Sequence, residues 1–94
     1  MKFKVSYYDS DADSVVEKNC EEIHFSNKSG EDSFSFMPVD DPPRIYKPVI
    51  IDSPNVSISL NRYGFQIRVE GYQYNLNSGG YCKTITTISK KNEE

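Results

Sequence analysis

Leucine and alanine are nearly missing from this 94-residue chain, which has Leu60, Leu76 and Ala12 and no others. These residues favour helices most strongly, so a helical architecture has little to draw on. Tryptophan is absent, His24 is the single histidine, and Cys20 and Cys82 are the only cysteines. Two cysteines are too few for a disulfide scaffold, and their spacing suits no metal site. Both are expected to be reduced and at least partly buried; a bridge would require their strands to be neighbours. No apolar run approaches the roughly 20 residues of a membrane span. Met1-Lys2-Phe3-Lys4 lacks the apolar stretch of a secretory leader. A cytoplasmic location is therefore expected, and the sequons at Asn27 and Asn55 are read as chance.

What the chain does contain is β-branched and aromatic. Val, Ile, Phe and Tyr together number 27, beside 12 serines. Such side chains suit a pleated surface with one wet face, so the composition is that of an all-β protein. The length fits one small domain, expected over residues 1–89, with 90–94 a disordered charged tail. The net charge is −3, but it is divided unevenly. Residues 1–41 carry ten acids and four lysines, whereas 42–94 carry four acids and seven basic residues. This asymmetry bears on partner surfaces rather than on the fold.

The best-patterned stretch is Val56 to Leu76. Val56, Ile58 and Leu60 alternate with polar residues, then Tyr63, Phe65, Ile67 and Val69 do the same. Two period-2 runs around a short polar turn predict a β-hairpin. After Gly71 the apolar residues move to even positions, as Tyr72, Tyr74 and Leu76. A one-residue slip turns every side chain to the other face, so a bulge or bend is expected at Gly71. Further strands are expected at Lys2–Tyr8, at 14–18 and 20–26 (a helical turn over 14–22 is the alternative), at Ser33–Phe36, at Arg44–Asp52 and at Tyr81–Ser89. Pro38 to Pro43 reads as a loop. About six to seven short strands with turns between them predict an antiparallel β-sandwich or a small barrel.

Several motifs carry possible chemistry. Asp9, Asp11 and Asp13 have the spacing of oxygen ligands in a calcium loop. Ser14 and Cys20, however, occupy the places that need the bending Gly and the bidentate Glu, so an acidic turn is expected and no metal. His24 alternates with Ile23 and Phe25 and is expected on an outer face. Asn77-Ser78-Gly79-Gly80 precedes a strand, and so lacks the helix N-terminus of a phosphate loop. Tyr63-Gly64-Phe65-Gln66-Ile67-Arg68-Val69 resembles the aromatic strand of RNA-binding sheets and cold-shock barrels. There, exposed aromatics stack bases and basic residues follow the phosphates. Phe65, Ile67 and Val69 are better explained as core. Seven tyrosines are many for this length. Tyr8, Tyr46, Tyr72, Tyr74 and Tyr81 exceed what so small a core can bury, and Tyr is enriched at interface hot spots.

The resulting expectation is a non-enzymatic binding protein that acts by protein–protein contact, without cofactor or membrane attachment. An inhibitor, such as a phage-encoded antagonist of a host defence enzyme, is its most specific form. Two surfaces are candidates. One is acidic, with Asp9, Asp11, Asp13, Glu21 and Glu22 mimicking phosphates toward a nucleic-acid-processing enzyme. The other is aromatic and basic, with Arg62, Arg68, Tyr72, Tyr74 and Tyr81. A single-stranded nucleic-acid-binding barrel using Arg62, Arg68, Tyr72, Tyr74 and Lys83 is the alternative, and a carbohydrate-binding or structural β-sandwich is a third.

Overall fold

The computed structural model describes residues 3–39 and 47–91. Six antiparallel strands are joined in chain order: β1 (Phe3–Asp9), β2 (Ser14–Lys28), β3 (Glu31–Val39), β4 (Val49–Asn61), β5 (Gly64–Asn75) and β6 (Gly80–Lys91). Each pairs with the next, and β1 pairs with β6, so the sheet closes on itself as an all-β barrel rather than stacking as a sandwich. Expected strands at 14–18 and 20–26 are one 15-residue strand, and the alternative helical turn over 14–22 does not form. β-Branched residues at Val15, Val16 and Ile23 favour the extended chain. Within the expected strand at Arg44–Asp52, β4 starts at Val49, just after Pro48, and it continues to Asn61. Residues 40–46, including Tyr46, lie outside the described residues. β6 takes in Lys90 and Lys91, which pair with Phe65 and Gly64.

Alternation assigns the faces. Phe3, Val5 and Tyr7 point inward from β1, as the sequence predicts. Opposite them stand Cys20, Lys18 and Val16 of β2. Val5, Tyr7, Cys20, Phe34, Phe36, Ile51, Val69 and Ile88 form the buried core at the waist. Tyr7 and Phe36 meet edge-on, with ring centroids 5.2 Å apart. Cys20 and Cys82 are free thiols. β1 runs between their strands, so no bridge can form. Burial first, and then Glu21, pushes the Cys20 thiol up to about 11. The thiolate is therefore disfavoured at neutral pH.

Two bulges break the regular ladder. One lies between Glu21 and His24 of β2, the other between Asp52 and Asn55 of β4. Each holds a residue with left-handed backbone, Glu22 at φ +55° and Ser53 at φ +50°. Pro54 sits in the second bulge, where its missing N–H is tolerated. The break expected at Gly71 does not occur: β5 pairs with β6 without interruption from Gly64 to Asn75. Gly71 instead faces the bulged part of β4. A Cβ there would lie 2.3 Å from Ile51 Cγ2 and 2.9 Å from the Asp52 carbonyl oxygen. The corner is thus made by two strands, with the extra residue on β4 and the space for it on β5.

Two ends can be distinguished. The upper end carries the β1–β2 and β5–β6 turns. The lower end carries the tight turns at Ser29–Gly30 and Arg62–Tyr63. At the lower turn, Asn61 Oδ1 accepts a hydrogen bond from the Tyr63 backbone N–H (2.8 Å). Tyr63 therefore sits in the turn itself and not on the inner face of β5.

Candidate binding surface

Because β5 continues without a break, its even-numbered residues all point outward: Gln66, Arg68, Glu70, Tyr72 and Tyr74. Their cross-strand neighbours on β6 are Ser89, Thr87, Ile85, Lys83 and Tyr81. At the upper end this column becomes aromatic. Tyr72, Tyr74 and Tyr81 are 44%, 50% and 64% exposed. Tyr74 and Tyr81 pack edge to face with centroids 5.4 Å apart. Lys83 lies directly across from Tyr72, and Ile85 and Ile50 are also exposed on the same outer surface. The two strands pair with each other without interruption up to Asn75 and Gly80, and Tyr72 also stands opposite Asp52 of β4, so the tyrosines are displayed on a continuous hairpin.

The inside of the same segment is polar, which explains why the tyrosines face outward. Gly71, Gln73 and Asn75 take the inner positions. Gln73 is buried, and its amide is used at both ends. Nε2 donates to the Tyr8 carbonyl (3.0 Å) and Oε1 accepts from Thr84 Oγ1 (2.7 Å). The β1–β6 register extends only to Ser6 and Thr87, so the Tyr8 carbonyl lies beyond that ladder and the Gln73 side chain serves it instead. Asn75 Nδ2 donates to the Tyr8 hydroxyl (3.1 Å), and Asn77 Nδ2 donates to the Ser10 carbonyl (2.8 Å). These bonds tie the β5–β6 turn to the β1–β2 turn. Next to them the barrel mouth forms an open depression of about 800 Å³, whose lining includes Tyr7, Lys18, Gln73 and Leu76.

The basic members of the predicted aromatic surface do not join the tyrosines. Arg68 shares their face, but its guanidinium is paired with Glu70. Arg62 lies in the lower turn with its guanidinium 4.8 Å from the Tyr63 ring centroid. At about 3.3 Å per residue, that turn is roughly 30 Å along β5 from Tyr72. Lys83 is the cation that the fold places beside the tyrosines. Ile50 and Ile85 complete the patch. They were hidden in the sequence because outward apolar residues of a barrel look like core residues of a second sheet.

The acidic residues are divided too. Asp9, Asp11 and Asp13 occupy the β1–β2 turn, while Glu21 and Glu22 lie at the β2 bulge, about 25 Å along the strand from Asp13. In the turn, Asp9 Oδ1 accepts from the Asp11 backbone N–H (3.0 Å), and Tyr8 donates its hydroxyl proton to Asp13. The Asp13 contact raises the Tyr8 pKa. The aspartates thus shape a turn. Among the described residues no group of three or more His, Cys, Asp or Glu side chains is placed to hold a metal. His24 stands exposed on the outer face opposite Ser35, as alternation predicts. Among the described residues no helix is long and apolar enough to cross a membrane. The chain matches no protein-family model, no curated protein and no solved structure.

Proposed function

We propose that this barrel is a binding protein that engages a protein partner through the outer face of β5 and β6, with Tyr72, Tyr74 and Tyr81 as anchors around Lys83 and Ile85. The carrying observation is the grouping of three half-exposed tyrosines on two strands that pair with each other without a break. A tyrosine has few rotatable bonds and combines an apolar ring with a polar tip, so burying it at an interface costs little order. The strands beneath are already fixed, which lowers that cost further. Antagonism of an enzyme is the specific form favoured here, with the aspartate turn at the same upper end contributing to the polar rim. Phosphate mimicry by all five acids receives less support, because two separated clusters do not make one field within a Debye length.

The test begins with capture of the partner from the native host and purification of that protein. Its affinity is then measured against Tyr72→Ser, Tyr74→Ser and Tyr81→Ser. Losses of roughly 30-fold or more are expected for at least one, the scale of a hot-spot residue. Melting temperatures should stay within a few degrees of the parent, because the rings are surface residues. Undiminished affinity in all three variants, together with loss in Asp9→Asn/Asp11→Asn/Asp13→Asn, would move the site to the acidic turn. Tight binding of a single-stranded oligonucleotide at low salt, abolished by the same tyrosine changes, would make the ligand a nucleic acid instead.

A further inference from the structure

We propose that the protein forms a two-fold symmetric dimer by antiparallel pairing of the lower half of β4, residues 55–61, with the same segment of a second copy. The β3–β4 ladder stops at Ser33 and Asp52, where β4 bulges. From Asn55 to Asn61, β4 pairs with β5 and, among the described residues, with no other strand. Among the described residues, one side of these seven is therefore an open edge, in a barrel whose strands are paired on both sides at the waist. Free edges are usually protected by charge, proline or covering chain. Here Asn55-Val56-Ser57-Ile58-Ser59-Leu60-Asn61 contains no charged residue and no proline. Its apolar members point to the barrel's inner face, yet Ile58 is 69% and Leu60 78% exposed.

The choice of a second copy as occupant rests on the order of residues. The segment reads alike in chemical type from either end about Ile58. A two-fold axis through Ile58 would set Asn55 against Asn61 of the other copy, Val56 against Leu60, Ser57 against Ser59 and Ile58 against Ile58. Every apolar side chain then meets an apolar one, and every small polar one meets its like, which are favourable cross-strand pairs. The flanks are complementary in charge. Asp52 precedes the segment and Arg62 follows it, so the two-fold axis brings flanks of opposite charge to the same end of the interface. An interface of this kind is isologous and closes at two, rather than growing into a fibre. It is also separate from the tyrosine face, which lies at the opposite end of β5, so the dimer would present two such faces.

Sedimentation velocity of the full chain, from about 1 μM to about 1 mM, tests the dimer. The wild type is expected to pass from monomer to dimer within that range, since a seven-residue edge is a small interface. Ile58→Lys sets like charges face to face on the axis and should weaken association at least tenfold without lowering the melting temperature. Register is read by cysteine cross-linking in a Cys82→Ser background. Ile58→Cys should link to itself, whereas Ser57→Cys should link efficiently only when mixed with Ser59→Cys. Directly opposed residues lie about 4.5–5.5 Å apart, within disulfide reach, and diagonal ones do not. A wild type that stays monomeric throughout, leaving the edge to some other strand, overturns the proposal. So does association unchanged by Ile58→Lys, or Ser57→Cys that links to itself as readily as to Ser59→Cys.

Discussion

The two halves of β5 have opposite polarity on the same uninterrupted strand. From Phe65 to Val69 the inner face is apolar, and the outer residues Gln66 and Arg68 are polar. From Gly71 to Asn75 the inner face is Gly, Gln and Asn, and the outer residues are Tyr72 and Tyr74. The lower inner half packs against Ile88 and the rest of the core, whereas the upper inner half is a hydrogen-bonded bridge from β5 to β1. Alternation reports that two faces differ in polarity. It does not report which face is inside. Where a small barrel spends interior space on a polar bridge, the aromatic residues must be the outer set.

Reversing the polarity of either half tests the contrast. The largest effect is expected from Val69→Asn, which places an amide without partners at a fully buried position. It should cost roughly 3–4 kcal/mol in chemical denaturation, a large share of the stability of a domain this size. Gly71→Ala comes next, at about 2 kcal/mol, because the new methyl runs into both Ile51 and the Asp52 carbonyl. If that variant is as stable as the parent, the close approach of β4 to β5 is not what Gly71 provides. Gln73→Leu removes the bridge and leaves the Tyr8 carbonyl and the Thr84 hydroxyl unserved. A loss of about 1–2 kcal/mol is expected, with faster amide exchange in the β1–β2 turn; a gain would mean that the upper interior is merely underpacked. The smallest effect has the opposite sign. Thr86 is fully buried, and among the described residues its hydroxyl has no hydrogen-bond partner. Thr86→Val keeps the shape and should raise stability by about 1 kcal/mol.

Much of the ladder was legible. β1 and β3 were marked by alternation, β6 by its Thr-rich β propensity, and the turns at Ser29–Gly30 and Arg62–Tyr63 by Gly, Asn and polar residues. Strand lengths were not, because bulges interrupt alternation without ending a strand. Asn19 and Pro54 stood between expected strands, yet β2 and β4 run through them on hydrogen bonds from their neighbours. The slip after Gly71 pointed to the right corner of the molecule and the wrong strand. A glycine that admits a neighbour and a glycine that bends its own strand leave the same mark in a sequence. For the candidate surface, Tyr72, Tyr74 and Tyr81 were recognisable from their abundance and spacing, but Arg62 and the grouping of the acids were misjudged. Closeness in sequence becomes distance in space when the chain is extended.

Composition and periodicity alone determined that this protein is all-β, since β-branched and aromatic residues at period 2 have no good alternative to pleated strands. Tertiary structure decided that the sheet closes into a barrel, that the polar set of upper β5 lies inside, and that the tyrosines therefore lie outside. The reason is physical. Local propensity acts on one strand at a time, whereas the inside of a barrel exists only after the first strand has paired with the last.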